Sequence, residues 1–289
     1  MAATAEEAFK VFVSWLAPRD PELTRALAHR DEIHERLRRK FGVQGMYEGG
    51  SLHHGTGVHQ VSGADYFFWF GTPRPESPVR ALVSVQKSLQ QLYPAADVRI
   101  TRPGVLVEFP GGAERIGVIP AYSPGRSVGE HPRFRVAGFC GDWTSVSPAA
   151  QREWLDACNS TPGAMGRAKG LARLARAWKH YRDVPISSYY LELRAAAYAA
   201  EHSTLTYAHD LRNFFATLLW DGLGAIDDPV GASDRIEGTT AEHHAEAMSK
   251  LANAAGWAEQ ALNHQRLGRV SDAFARWNLI FDGRFPSYY

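Results

Sequence analysis

A short stretch near the start of the chain combines residue types that bind phosphate with one that binds a metal ion. Gly50-Ser51 and Gly55-Thr56 are followed by Asp65 at the start of an apolar run. A Gly-Ser turn brings backbone N–H groups and a hydroxyl against phosphate oxygens, and a carboxylate on the following strand can hold Mg²⁺ across a triphosphate. Glycine pairs alone are weak evidence, but this combination predicts a nucleotide phosphate site.

Short β-branched and aromatic runs separated by Gly and Pro predict the strands that position this turn. The predicted strands cover residues 65–70, 98–100, 105–109 and 116–119, with a helix over residues 79–93 between the first two. The aromatic run at residues 66–70 is expected to be core, because a strand buried on both faces has no polar alternation. A loop rich in Gly and Pro is expected over residues 122–142.

Helical periodicity dominates both ends of the chain. It predicts helices over residues 6–16 and 21–41, and then, beyond residue 147, over residues 171–181, 189–201, 211–219 and 241–263. The fold class is therefore α/β (α+β), with a mixed sheet over residues 45–122 and helices on one of its faces. We expect two domains, residues 1–145 and residues 146–289.

The composition is that of an ordinary globular protein. Of 289 residues, 45% are hydrophobic and 22% are charged, which excludes disorder and coiled coil. Thirty-two Lys and Arg balance 31 Asp and Glu, so no overall basic excess indicates DNA or RNA as a partner. Cys140 and Cys158 form neither a disulfide framework nor a zinc cluster. With no basic leader and no long apolar run, we expect a cytoplasmic protein without a membrane span.

The phosphate-site motif belongs to a longer resemblance. The run GGSLHHGTGVHQVSGADYFFWF resembles the polymerase β type nucleotidyltransferases, specifically the bacterial cyclic GMP-AMP synthase-like enzymes that make cyclic oligonucleotides in antiphage defence. Their pattern is Gly-Ser, three residues, Gly-Thr and then Ser-Asp-x-Asp. RIGVIPAY, DWTSVSP, LARLARAWKHYRDVPISSYYLEL, DDPVG and WNLIFDGRFP are similar to later elements of the family. The resemblance implies a nucleotidyltransferase core, a C-terminal helical domain and a ligand groove between them.

The metal-binding acids depart from the family pattern. The resemblance implies three acids holding two metal ions, but Gly63 and Gly117 stand at two of those positions and Asp65 alone remains. Glycine supplies no ligand, so we expect little or no nucleotidyl transfer, no certain cofactor and at most weak Mg²⁺ binding at Asp65. Glu114 has an odd offset from Gly117, which on a regular strand points it to the opposite face. Glu108 faces the site only if the strand register allows.

Three histidines surround the Gly-Ser turn. His53, His54 and His59 are poor Mg²⁺ ligands when neutral, and we interpret them as loop side chains, with a softer metal as the alternative.

A protein can keep a nucleotide-binding site after it has lost catalysis, because phosphate and base contacts do not require the metal-binding carboxylates. By the resemblance, Arg176 occupies a basic position that contacts triphosphate, and Tyr189 belongs to a turn that approaches the nucleotide, where an aromatic ring can stack on a base. Without the resemblance, the basic residues of this helix would be interpreted as a solvated face. The candidate nucleotide-binding residues are Gly50, Ser51, Thr56, Arg173, Arg176, Lys179, Ser187, Ser188 and Tyr189.

Three functions remain open at this point. The first is a catalytically defective nucleotidyltransferase-like protein that binds a nucleotide or cyclic oligonucleotide as sensor, sponge or regulator in bacterial antiphage defence, with a defence-system protein as a further partner. The second is an active synthase that uses Asp65 and an unrecognised acid. The third is a ligand-free scaffold that docks another protein.

Overall fold

A computed structural model describes residues 4–19, 29–111, 114–122, 127–233 and 235–288. The chain divides into two compact units. The helical unit comprises Met1–Ala17, Leu155–Ile226 and Ile236–Tyr289, and the sheet unit comprises Pro18–Trp154 and Asp227–Arg235. We expected a second domain from residue 146; the helical unit takes up the chain again at Leu155 and also includes the first helix.

Ten helices and eleven strands lie in the described residues. The helices are α1 (Ala5–Trp15), α2 (Arg30–Phe41), α3 (Gly50–His54), α4 (Pro78–Leu92), α5 (Pro148–Asn159), α6 (Ala168–Tyr181), α7 (Ser188–Glu201), α8 (Tyr207–Trp220), α9 (His244–Arg266) and α10 (Val270–Ile280). The strands are β1 (Val43–Gly49), β2 (Ala64–Phe70), β3 (Asp97–Thr101), β4 (Gly104–Glu108), β5 (Arg115–Tyr122), β6 (Ser127–Val128), β7 (His131–Pro132), β8 (Phe134–Ala137), β9 (Trp143–Val146), β10 (Ile226–Asp227) and β11 (Arg235–Ile236). None of these helices is long and apolar enough to cross a membrane.

The main sheet is mixed, as predicted. Its strands follow the order β1-β2-β5-β4-β3, with β8 pairing with β5 and β9 with β8. Strands β2 and β5 are parallel, and the other pairs are antiparallel. The four predicted strands are confirmed as β2 to β5. The expected loop over residues 122–142 is wrong in part, because it contains β6, β7 and β8.

The predicted helices are also present, with one part outside the described residues. Residues 20–28, where the second helix was expected to begin, lie outside that part of the chain, and the described remainder forms α2. Helix α4 starts at Pro78, which suits a first helical turn. Its apolar residues recur at helical spacing and are buried, namely Ala81, Leu82, Val85 and Leu89.

Both faces of the main sheet are covered by apolar packing. Tyr66, Phe68 and Phe70 pack on one face with residues of α2 and α4. Phe67 packs on the other face with residues of β5 and β8. Tyr66, Phe67, Phe68 and Phe70 are therefore core residues, as predicted, whereas Trp69 is partly buried and packs against the same cluster as Phe67. Asp65 alternates with Tyr66 and so shares a face with Phe67.

Helix α1 joins the helical unit through aromatic contacts. Thr4 and Glu7 form a capping box at its start. The Phe9 ring centroid lies 4.8 Å from that of Trp277, and Phe12 lies 4.8 Å from Phe281. Burial of these rings is the reason that the first helix packs with the last one rather than with the sheet.

Helix α6 approaches α8 closely at a glycine. A β-carbon built at Gly170 would lie 2.1 Å from the hydroxyl oxygen of Tyr207, so a side chain at this position would require the Tyr207 ring to shift. Leu171, Leu174 and Trp178 of α6 are buried, as expected for a packing stripe.

Candidate functional site

The Gly-Ser segment forms the short helix α3, and buried hydrogen bonds of Ser51 fix its position. Ser51 is only 3% exposed, and its hydroxyl donates to Ser62 Oγ at 3.0 Å. Ser62 Oγ in turn accepts from the Val58 amide at 2.9 Å. Thr56 is fully buried, and its amide donates to the Ser51 carbonyl at 2.9 Å. The structure thus joins the predicted Ser51 and Thr56 directly. Ser62, a residue that sequence reasoning missed, links Ser51 to Val58.

Asp65 lies between two glycines that are distant in sequence. Its strand register places it opposite Gly49 of β1 and Gly117 of β5. A β-carbon at Gly117 would lie 2.0 Å from Asp65 Oδ1, and one at Gly50 would lie 1.9 Å from Oδ2. The carboxylate therefore fills the space that side chains at both positions would need.

Gly63 is enclosed by backbone. A β-carbon there would lie 2.4 Å from the carbonyl oxygen of Arg115. The Arg115 guanidinium donates to the carbonyl oxygens of Gln60 at 3.0 Å and Val61 at 3.1 Å. Arg115, another residue that the sequence analysis did not single out, thus fixes the segment before β2. The sequence signal that could have indicated this role is the place of Arg115 at the start of β5.

The two alternative acids are engaged elsewhere. Glu108 pairs with Arg115 in the sheet, which puts it on the face of Gly117, but its carboxylate accepts from Arg115 at 2.8 Å and from Arg99 at 2.9 Å. The hydrogen bond from Arg115 holds the pKa of Glu108 below its usual value, with Arg99 acting in the same direction. Glu114 is buried and pairs with His29 Nδ1 at 2.9 Å.

No group of three or more His, Cys, Asp or Glu side chains in the described part of the chain is arranged to hold a metal ion. Around Asp65, the residues Gly50, Gly63 and Gly117 bring no side-chain oxygen that could join it as a ligand.

His53 is held neutral by its neighbours. A guanidinium can only donate, so Arg152, 3.0 Å from His53 Nε2, fixes that nitrogen as an acceptor. His53 Nδ1 lies 3.4 Å from Glu48. Burial lowers the pKa of His53, and the charge of Arg152 adds to the effect. His53 therefore acts as a bridge between Glu48 and Arg152.

Helix α6 carries three partly buried basic residues at steps of three, namely Arg173, Arg176 and Lys179. Burial lowers the pKa of both Arg173 and Lys179, and the charge of Arg176 lowers that of Lys179 further. Arg176 Nε is buried without a hydrogen-bond partner among the described residues. A solvated face does not fit this burial, since charges removed from water require a counter-ion.

The Ser187–Tyr189 turn forms the start of α7. Ser187 is its N-cap, with its hydroxyl accepting from the Tyr190 amide at 3.3 Å. The Ser187 amide donates to Gly238 O at 2.7 Å. Ser188 and Tyr189 are half-buried, whereas Tyr190 is fully buried and donates to Gly224 O at 3.0 Å. Tyr190 is therefore a core residue.

These elements define a nucleotidyltransferase fold, and comparisons with solved structures agree. CdnC of Escherichia coli MS115-1 with ATP has a TM-score of 0.75 at 16% identity, over 99% of this chain and 100% of that one. The same protein in a CdnC:HORMA-deltaN complex has a TM-score of 0.69 at 16% identity, over 98% of each chain.

Two further structures extend the comparison. The CD-NTase CdnG of Bradyrhizobium diazoefficiens with GTP has a TM-score of 0.65 at 14% identity, over 96% of this chain and 98% of that one. The cyclic AMP-GMP synthase DncV of Vibrio cholerae has a TM-score of 0.64 at 12% identity, over 98% and 88%. No protein-family model and no curated protein matches the sequence. At these identities the likeness establishes the fold.

Proposed function

We propose that the protein binds a nucleotide or cyclic oligonucleotide through its phosphates and does not catalyse nucleotidyl transfer. The observation that carries the proposal is the basic row of α6, Arg173, Arg176 and Lys179, whose charges are partly withdrawn from water. Neither Arg176 nor Lys179 forms an ion pair with a carboxylate in the described ranges. The fold is that of proteins solved with ATP and GTP.

The basic row of α6 suits a phosphate ligand best. Buried cations are costly unless an anion neutralises them, and Arg176 has an unused Nε–H donor. A guanidinium matches the geometry of phosphate oxygens, and a lysine ammonium adds a point charge. The candidate residues Gly50, Ser51, Thr56, Ser187, Ser188 and Tyr189 stay predictions from the family resemblance. Ser51 and Thr56 are buried in the sheet unit.

The absence of transfer follows from the acid positions. Two-metal phosphoryl transfer needs several carboxylate oxygens to fix both ions, and the fold family supplies three acids. Here Asp65 stands with Gly63 and Gly117, and Glu108 is held by two arginines. These residues do not fit a two-metal centre, so a metal at Asp65 is at most weakly held.

A protein that binds without converting its ligand serves as a sensor, sponge or regulator. We place that role in bacterial antiphage defence, where the family resemblance puts cyclic oligonucleotides. A defence-system protein is a further partner in this proposal, supported by the CdnC:HORMA-deltaN complex of a protein with the same fold.

Calorimetry and melting curves with ATP, GTP and cyclic di- and trinucleotides test the proposal. A ligand at a hundredfold excess over its Kd should stabilise the protein by about 2.7 kcal/mol. The double variant Arg176→Ala with Lys179→Ala should lose this stabilisation. The matched control, Arg266→Ala with Arg269→Ala, removes the same charge from exposed positions and should retain it.

Two outcomes would contradict the proposal. If no nucleotide binds more tightly than millimolar, or if the Arg176 and Lys179 variant binds normally, the docking scaffold becomes the better account. If a triphosphate pair with Mg²⁺ or Mn²⁺ gives product that disappears with Asp65→Ala, the protein is an active synthase.

A further inference from the structure

We propose that the sheet unit contains an anion site at the open end of the β8–β9 hairpin, where Arg133 and Ser145 bind a phosphate group. The ligand is a phosphate dianion, either free or at the end of a small phosphoester. None of the residues of this site belongs to the basic row of α6, so the proposal does not rest on the nucleotide binding proposed above.

The pairing of β8 with β9 brings two arginines to one buried serine. Arg135 stands directly opposite Ser145 in the antiparallel register. Arg133 precedes Arg135 by two residues, and side chains at this spacing project from the same side of an extended chain. Arg133 Nη2 donates to Ser145 Oγ at 3.2 Å, and Arg135 Nη1 donates to the same oxygen at 3.0 Å. Ser145 is only 3% exposed.

The hydroxyl of Ser145 has a donor left over. A guanidinium has only donors, so Ser145 Oγ is the acceptor of both hydrogen bonds and uses both of its lone pairs. The hydroxyl proton is then free to donate, and the described residues provide no acceptor for it. A buried donor without an acceptor is costly, which favours a ligand that supplies one.

Arg133 adds a second unused donor and an unpaired charge. Its Nε is buried and has no hydrogen-bond partner within the described ranges. No carboxylate in this part of the chain forms an ion pair with Arg133. The unpaired charge of the site is that of Arg133, while Arg135 contributes its hydrogen bond to Ser145. A charge that is partly removed from water requires a counter-ion.

These donors favour an anion that has several oxygens. The O–H of Ser145 and the Nε–H of Arg133 belong to different side chains, so the ligand must present acceptors in more than one direction. A phosphate group does so, and hydrogen bonds between a guanidinium and phosphate oxygens are among the stronger ones in proteins. Both arginines are half-buried, so the cluster lies where the core meets solvent and an ion can approach it.

Calorimetry and melting curves with inorganic phosphate and with glycerol 2-phosphate test the site, against sodium chloride at equal ionic strength. Arg133→Gln should weaken phosphate binding about tenfold or more, the loss expected for a hydrogen bond to a charged group. Arg38→Gln is the matched control, because it removes the same charge from an exposed ion pair with Glu35 and should leave phosphate binding unchanged. The probe that binds more tightly distinguishes a free phosphate from a phosphoester. Melting curves without phosphate report whether each variant folds.

A substitution that builds the anion into the chain gives a second readout. Ser145→Asp places a carboxylate beside Arg133, whereas Ser145→Asn has nearly the same size and no charge. At neutral pH and without phosphate, we expect Ser145→Asp to have the higher Tm of the two, because its carboxylate supplies the counter-ion. Ser145→Asp should also lose the rise in Tm that phosphate gives to the wild type.

Three results would overturn the proposal. The first is that phosphate does not bind beyond the effect of sodium chloride. The second is phosphate binding that survives Arg133→Gln and disappears in Arg176→Ala with Lys179→Ala, which would place the ion on the basic row. The third is a lower Tm for Ser145→Asp than for Ser145→Asn, which would show that Arg133 already has its counter-ion. Binding that is lost in Arg133→Gln and kept in the Arg176 and Lys179 variant supports the site, whether or not nucleotides bind.

Discussion

The carbonyl oxygen of Arg115 lies 2.4 Å from the place that a β-carbon on Gly63 would occupy. The first residue of β5 therefore packs against the segment that leads into β2, with no room for a side chain. Arg115 strengthens this contact by donating to the carbonyl oxygens of Gln60 and Val61. Glycine at position 63 is thus a packing requirement as well as the loss of an acid.

Gly63→Ala tests this contact directly. We expect a loss of about 1–3 kcal/mol in the free energy of unfolding, because the methyl group must displace backbone. Gly45→Ala is the control, since its β-carbon would lie an ordinary 3.8 Å from Trp69, and its effect should stay within about 0.5 kcal/mol. Urea unfolding of both variants gives the comparison. Equal stability of the two would contradict the packing argument.

Restoring the missing acids should not restore transfer. In the variant Gly63→Asp with Gly117→Asp, one new carboxylate meets the Arg115 backbone and the other meets Asp65 Oδ1 at 2.0 Å from its β-carbon. We expect a lower Tm and no oligonucleotide product from nucleoside triphosphates with Mg²⁺ or Mn²⁺. Chromatography of the reaction mixture measures product. Nucleotidyl transfer by this double variant would show that the site opens more readily than its packing indicates.

Lys179 should cost the ligand-free protein stability. Burial, together with the charge of Arg176, lowers the pKa of Lys179 in the folded state. The unfolded chain therefore binds the Lys179 proton more readily than the folded protein does. The stability is highest above the ordinary lysine pKa, where Lys179 is neutral in both states, and it is lost as the pH falls through the lowered pKa of the folded state. At neutral pH, Lys179→Met should raise the Tm without ligand and reduce the stabilisation by nucleotide.

Lys250→Met is the control for that experiment. Lys250 pairs with Glu246 at 2.7 Å and donates to Asp183 O at 2.6 Å, so its removal should not raise the Tm. A Tm of Lys179→Met at or below that of the wild type at pH 7 would show that the lysine is well compensated in the absence of ligand.

His53 should titrate below the usual range for histidine. Burial is the main cause, and Arg152 opposes a second positive charge. Because the pKa of His53 is lower in the folded state, the stability that it contributes is present above the pKa of the unfolded state. This stability is lost as the pH falls through the pKa of the folded state. Arg152→Ala should raise the pKa of His53, and Glu48→Gln should lower it, as followed by NMR of the ring protons. An unchanged pKa in Arg152→Ala would place the cause in burial alone.

Much of the sheet was predictable because its strands have a strong local signal. The runs around Phe68 and Val118 are apolar and bounded by glycine and proline, and both are central strands. Strand β8 was missed because Phe134 and Val136 alternate with arginines inside a segment rich in Gly and Pro. Its pairing with β5 is a tertiary effect, which overrides weak local propensity.

The candidate site was predictable in residue type but not in geometry. The sequence shows that glycines replace acids at positions 63 and 117. That Asp65 fills the space at Gly117 depends on the parallel pairing of β2 with β5, two strands far apart in sequence. The hydrogen bonds of Arg115 have the same origin, because they join β5 to the distant residues Gln60 and Val61.

The location of α1 determines the order in which the chain can fold during its synthesis. The sheet unit is largely continuous from Pro18 to Trp154, whereas the helical unit combines the first helix with segments that begin at Leu155. Phe9 and Phe12 are synthesised long before their partners Trp277 and Phe281. Contacts of such sequence separation form late, and domains generally fold as they leave the ribosome. The sheet unit should therefore be largely complete while the rings of Phe9 and Phe12 still lack their partners.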